Sequence, residues 1–180
     1  MQQSVLVGWH GLAWLVLLGA VCGVTGHAAR AQEAPVPSGI FAAKKVFISN
    51  AGADSGLFPH PFSGGPERAY NQFYGAIQGW GRYEIVAEPA EAELVFELRL
   101  IAPNGPANAD KQKGASDPLP MFRLVIFDGK THYVLWALTE SIYEALVQKT
   151  HDRNFDEALA LLVTDLKNLT GKAAAPVAAR

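Results

Sequence analysis

The 180-residue sequence holds one cysteine, Cys22, and none after it. A single thiol excludes an intrachain disulfide and a zinc site built on cysteines. A domain so composed is held by its core alone. Charge of one sign is lacking too: 15 Lys+Arg stand against 17 Asp+Glu, a net charge of −2. No basic field exists for a nucleic acid, and none is expected as a partner. Long apolar runs are equally scarce. The clearest is Leu12 to Val24, short of the roughly 20 residues that a membrane helix needs.

That run has a different use. A short polar segment follows it and ends in Ala29-Arg30-Ala31, so residues 1–31 have the layout of a secretory signal: an apolar centre, then a small-x-small cleavage site. Cleavage is expected after Ala31, giving an exported protein, periplasmic or secreted, with a net charge of −3. The positive end rests on the amino terminus, because no Lys or Arg precedes the run. Cys22 leaves an alternative open. Lipoprotein signals are cut before a cysteine that follows small residues, and here Gly19-Ala20-Val21 precedes it, with a branched valine at the last position. A membrane tether through Cys22 is therefore the alternative to its being one more apolar residue.

Residues 32–43 read as a flexible lead-in, 44–170 as a single domain, and 171–180 as a disordered tail. Lys45 to Ser49 is β-branched and stopped by Asn50-Ala51-Gly52, a first strand. A loop rich in Gly and Pro spans 50–65. A helix from Pro66 carries Tyr70, Phe73, Ile77 and Trp80 on one stripe and ends at Gly81. Trp80 is assigned to the core. Tyr83 to Val86 is a second strand. From Glu93 to Ile101, Leu94, Phe96, Leu98 and Leu100 alternate with Glu93, Glu97 and Arg99, the pattern of a half-buried third strand. A polar loop, 103–118, separates it from strands Met121–Phe127 and Tyr133–Ile142, joined by an Asp128-Gly129 hairpin signal. A last helix is expected from Phe155, with Asn154 as its cap and Glu157 completing a capping box. The order β-α-β-β-β-β-α predicts an α+β two-layer sandwich, a mostly antiparallel sheet with two helices on one face.

Motifs for chemistry are missing. His60, His132 and His151 do not sit at ligand spacing, so no metal is expected; no cofactor is expected either. No Gly-x-Ser-x-Gly elbow marks a nucleophile. Gly129-Lys130-Thr131 lacks the glycine that a phosphate loop places five residues earlier, where Leu124 stands. Glu91, Glu93 and Glu97 share their surroundings with Arg99 and read as a solvated face. No catalytic residue is assigned. An enzyme would need its site in the 50–65 loop, around Asp54 or His60, and a hydrolase there is the weakest of three readings.

The last two strands are apolar on both faces, whereas two helices cover only one. The other face must meet the loops, a partner or a ligand. Trp136, Val134, Leu138 and Phe127, with Phe58 and Phe62 of the first loop, are the candidate partner-binding residues. The partner expected is an envelope protein or a second copy of the chain. A small-molecule or lipid carrier that uses the uncovered face is the alternative.

Taken in sequence, Lys45-Val46-Phe47-Ile48, Ala69-Tyr70-Asn71-Gln72-Phe73, Ala92-Glu93-Leu94-Val95-Phe96-Glu97-Leu98 and Val134-Leu135-Trp136-Ala137 before a terminal helix resemble the small exported α/β domains of bacterial envelope proteins. These include lipoprotein domains related to the curli-secretion lipoprotein and the N-terminal domain of the Tol-Pal β-propeller protein. The likeness spans roughly 44–170. It implies a non-enzymatic envelope accessory role exerted through protein contacts, and it carries over no catalytic residue.

Overall fold

The computed structural model describes residues 34–103, 120–143 and 145–171. The expected signal with Cys22, most of the 103–118 loop and the tail from 172 onward lie outside them. The elements are α1 (Ser38–Ala42), β1 (Lys45–Ala53), α2 (Arg68–Trp80), β2 (Glu84–Ile85), a 3-10 turn (Pro89–Glu91), β3 (Leu94–Ile101), β4 (Met121–Asp128), β5 (Val134–Ser141) and α3 (Gln148–Gly171).

The fold is α+β, with a mixed five-stranded sheet in the order β2-β1-β3-β4-β5. The expected mostly antiparallel character holds for the second half of the sheet and not for the first. β3, β4 and β5 do form an antiparallel meander, but β1 lies between β2 and β3 and is parallel to both. The reason is visible in the chain. A helix between β1 and β2 allows a parallel return, which a hairpin cannot make. β1 is nine residues long and buries Val46 and Ile48, whereas β2 keeps only two residues, ending before Pro89. The longer apolar strand takes the interior position.

One layer of side chains joins the sheet to α2 and α3. Val46, Ile48, Leu94, Phe96, Leu98, Leu100, Phe122, Leu124 and Ile126 form its strand side; Phe73 and Ile77 of α2 and Phe155, Leu159, Leu162 and Leu166 of α3 form the other. Gly81 ends α2 in the left-handed region, φ 68°, as a residue without a Cβ allows.

Two boundaries differ from the sequence reading. The lead-in is not featureless throughout, for Ser38–Ala42 is a short helix that buries Ile40 completely. α3 begins seven residues before Phe155. Its first two turns, Gln148 to Asn154, are polar, so hydrophobic spacing is silent about them. Tertiary bonds hold them instead. Asn154 is no cap: its side-chain amide donates to the carbonyl of Tyr143 at 2.9 Å. Gln148 donates to the carbonyl of Pro61 at 2.5 Å.

Arg68 is the centre of that anchorage. Its guanidinium donates to Asp152 at 2.6 Å and to Asp156 at 2.7 Å, and it lies 4.3 Å over the ring of Phe155. The N–H of Ser63 donates to the same Asp152 oxygen at 2.9 Å. Burial opposes ionisation of Asp152, but the Ser63 amide, Arg68 and Gln148 outweigh it and bring its pKa down to about 2. The 54–67 loop is thereby strapped to the start of α3, with Phe62 seated 5.1 Å from Phe155.

Two acidic residues also serve the fold: Glu93, which reads as part of a solvated face, and Asp128, which reads as a hairpin signal. The Glu93 carboxylate accepts from the backbone N–H of Lys44 at 2.5 Å and of Lys45 at 3.0 Å, which joins the start of β3 to the start of β1. Those two bonds hold its pKa below the usual carboxylate range. Asp128 accepts from the N–H groups of Thr131 and Lys130 and from the Thr131 hydroxyl, with the same effect. The hairpin is longer than a two-residue turn. Its left-handed residue is His132, φ 59°, not Gly129. Gly129 is there for close approach, because a Cβ would sit 2.1 Å from the carbonyl oxygen of Ala92.

Candidate functional site

β5 forms one edge of the sheet. Its ladder with β4 runs Met121↔Ser141, Phe122↔Glu140, Leu124↔Leu138 and Ile126↔Trp136. The N–H of Ile142 donates to Pro120, the residue opposite it, at 2.8 Å. Facing residues in an antiparallel pair alternate between exchanging both bonds and exchanging none. Trp136, Leu138 and Glu140 therefore spend their backbone groups on β4. Ala137, Thr139 and Ser141 turn theirs outward, where no strand among the described residues meets them.

The side chains around this edge are unusual for a surface. The exposed large apolar residues among those described are Tyr133, Val134, Tyr143, Leu146, Val147 and Leu161. All of them belong to β5, its two flanks and α3. Val134 is 58% exposed at the start of the strand, and Leu161 is 54% exposed on α3. Leu161 and Asp165 are four residues apart and share one flank of α3. Asp165 reaches the Glu140 carboxyl of β5. Partial burial and this neighbouring acid raise the Glu140 pKa above its usual value.

The open face of the sheet adjoins the edge. Register places Phe47, Val95, Phe127 and Val134 in one row across four strands. Further along, Glu97 faces Val125, and Arg99 faces Arg123. One end of this face is thus apolar and the other polar. Arg99 is engaged by Asp54 at 3.0 Å.

The predicted residues fall into three groups. Val134 and Phe127 are paired neighbours on the open face. Trp136 and Leu138 lie on β5 but face the helices, half-buried against the core, because a bulge between Ile126 and Phe127 shifts the register. Phe62 and Phe58 need correction as contact residues. Phe62 is wholly buried, and Phe58 packs on Phe62 and Phe155 with ring centroids 6.2 and 6.3 Å away. Trp80, assigned to the core, packs against it half-buried, edge-on to Tyr83 at 5.4 Å.

The loop residues named for an enzymatic reading have structural duties. Asp54 accepts from Arg99 and from the N–H of Ala102, each at 3.0 Å. His60 Nδ1 lies 3.1 Å from the Gln148 side-chain oxygen. A cleft of about 470 Å³ does gather Asp54, Ser55, Leu57, Pro61, Ala102 and His151. Among the described residues, however, no hydrogen bond joins Ser55 to His151, and His151 sets its ring edge-on to Phe62 at 6.1 Å. The nucleophile–base contact that activates a hydroxyl is not formed there. Among the described residues no group of three or more His, Asp or Glu is placed to hold a metal, and no helix is long and apolar enough to cross a membrane.

Sequence reasoning did not reach Tyr143, Leu146, Val147, Leu161 or the Glu140–Asp165 pair. Leu161 had a signal: it falls off the stripe Phe155, Leu159, Leu162, Leu166. The acidic pair had none, since it joins residues 25 positions apart.

No known family model matches the sequence, and no curated protein does. Among solved structures the chain is similar to a DUF4136 family protein from Bacteroides thetaiotaomicron, with a TM-score of 0.49 and 14% identity over 78% of this chain and 94% of that one. It is similar to the PelC dodecamer from Paraburkholderia phytofirmans, with a TM-score of 0.39 and 12% identity over 68% and 86%. It is similar also to lipoprotein GNA1162 from Neisseria meningitidis, with a TM-score of 0.35 and 12% identity over 69% and 96%. DUF-family proteins and bacterial lipoproteins are thus its structural neighbours.

Proposed function

We propose that this chain is an exported, non-enzymatic domain of the cell envelope that acts by holding another protein on β5 and the apolar side chains around it. The signal-like layout of residues 1–31 supports export. The observation that carries the contact is the clustering of exposed large apolar residues between Tyr133 and Leu161. Scattered single residues of this kind are ordinary on a surface, whereas a cluster beside an open strand edge marks an interaction site. The carrier alternative gains no comparable support, because the 470 Å³ cleft is lined by none of the open-face row Phe47, Val95, Phe127 and Val134.

The test is photo-crosslinking in intact envelopes. Benzoylphenylalanine replaces Val134, Tyr143 or Leu161 in turn, with Gln78 on the exposed side of α2 as the control. Discrete protein adducts from the first three positions and none from Gln78 are expected. Absence of adducts at all three would reject the proposal.

A further inference from the structure

We infer that the β5 edge takes up an extended segment of a partner protein as a sixth strand, with a lysine or arginine of that segment seated against Glu140 and Asp165. This rests on the function proposed above and names the chemistry of the partner.

The edge strand is built for addition. It is eight residues long, Val134–Ser141, and contains no proline, lysine or arginine. Proline and lysine are among the residues that close sheet edges to other chains; the one charge of β5, Glu140, lies on the helix side, and the one bulge lies at its start, before Trp136. Ala137, Thr139 and Ser141 turn their free N–H and C=O groups outward at every second position, the spacing an added strand requires. On the open face these three residues are small, so an incoming backbone meets no bulk. On the helix side the edge presents Trp136, Leu138 and Glu140, with Leu161 and Asp165 beyond them on α3.

Charge selects the occupant. Among the described residues no cation pairs with Glu140 or Asp165; the ion pairs present lie elsewhere. Lys167, two residues further along α3, is turned over the Trp80 ring at 5.5 Å. Two carboxyl groups in contact at the rim of an apolar edge are complementary to one basic side chain. A segment that places this base opposite Glu140 sets its residues two and four places along against Leu138 and Trp136, so those residues should be apolar. A second copy of β5 fits less well, because it brings acid and no base.

The probe is a labelled nine-residue peptide with threonine at odd positions and, at even positions, valine apart from one lysine. Its binding to the full chain, purified from the envelope, is followed by fluorescence anisotropy. The lysine peptide should bind, and a version with glutamate in place of lysine should bind about threefold to tenfold more weakly. Glu140→Gln should abolish that preference. Thr139→Pro should weaken binding at least about tenfold, since it removes an outward N–H and leaves the β4 ladder intact. A peptide with proline for its central threonine should fail likewise, and it does so without altering the protein.

No binding of the lysine peptide, equal binding of the lysine and glutamate peptides, or unchanged binding of the proline peptide would overturn the inference. So would a dimer of the chain in sedimentation that Thr139→Pro dissolves, because a second copy would then be the occupant. The envelope crosslinks at Val134 separate the two claims. If they persist while the peptides fail, the protein contact stands and strand addition does not.

Discussion

The two edges of this sheet are finished in opposite ways. β2 is two residues long and sits among bulky neighbours. The Arg82 guanidinium lies 5.3 Å from the Tyr83 ring and 5.9 Å from the Trp80 ring, and it donates to the carbonyl of Phe41 at 2.9 Å. Lys45 and Glu84 pair across the last ladder at 3.7 Å. Shortness, cations and cover are the ordinary means of closing an edge. β5 is four times as long, carries no Lys or Arg, and is covered by no strand among the described residues. One sequence thus closes one edge and leaves the other with outward backbone groups that no described strand meets, which is the contrast on which the proposed role of β5 rests. Substitutions near β2 should cost stability alone, and those on β5 should cost binding alone.

The largest stability effect is expected from neither edge but from the support beneath β4 and β5. Phe155 is fully buried and meets Phe122 at 4.9 Å and Phe62 at 5.1 Å. Phe155→Ala should lose about 3–5 kcal/mol in urea denaturation. A loss well under 1 kcal/mol would show that the strap at the start of α3 is loosely packed.

Next in size is the charge that fixes that strap. The Arg68 and Asp152 side chains are only 16% and 22% exposed. Arg68→Ala leaves a largely buried carboxylate without its cation and should cost about 2–3 kcal/mol. The matching acid effect has a definite sign. Asp152 ionises near pH 2 in the folded chain and near 3.8 in the unfolded one. Its contribution, roughly 2 kcal/mol, is therefore complete above pH 4 and is lost as pH falls towards 2. Stability measured from pH 6 to 2 should fall less steeply in Asp152→Asn than in the parent chain. At the β2 edge, half-buried Trp80→Ala should cost roughly 1–2 kcal/mol, with the β5 crosslinks unchanged. Loss of those crosslinks in Trp80→Ala would end the distinction between the edges.

Much of this layout was legible in the chain because it rests on periodicity. The alternation Leu94, Phe96, Leu98, Leu100 and the stripe Phe73, Ile77 reported burial directly, and Gly81 reported the end of α2. Strand order was not legible, since alternation in β1 and β3 says which face is buried and not which strand lies alongside. The first turns of α3 were hidden for a related reason: Arg68, Ser63 and Pro61 hold Gln148 and Asp152 across more than 80 residues, and local propensity carries no trace of such bonds. The candidate surface was half legible. Doubly apolar strands pointed to β4 and β5. The bulge beside Phe127 then decided that Trp136 and Leu138 face the helices while Val134 faces out.

Val134→Asp should have the smallest effect on stability and the sharpest on function. Val134 is more than half exposed and lies opposite Phe127 at the open end of the row from Phe47. A carboxylate at so exposed a site stays hydrated, and surface changes of this kind move stability by no more than about 0.5 kcal/mol. A partner seated on β5 would have to strip that water from it. The crosslinks from Tyr143 and Leu161 should therefore disappear while the thermal transition stays within a few degrees of the parent chain. If the variant instead unfolds early, Val134 belongs to the core that Phe127 and Val95 approach, and the contrast between the edges is one of packing. If it keeps both its fold and its crosslinks, the partner avoids the open face and lies along the outward backbone of Ala137, Thr139 and Ser141.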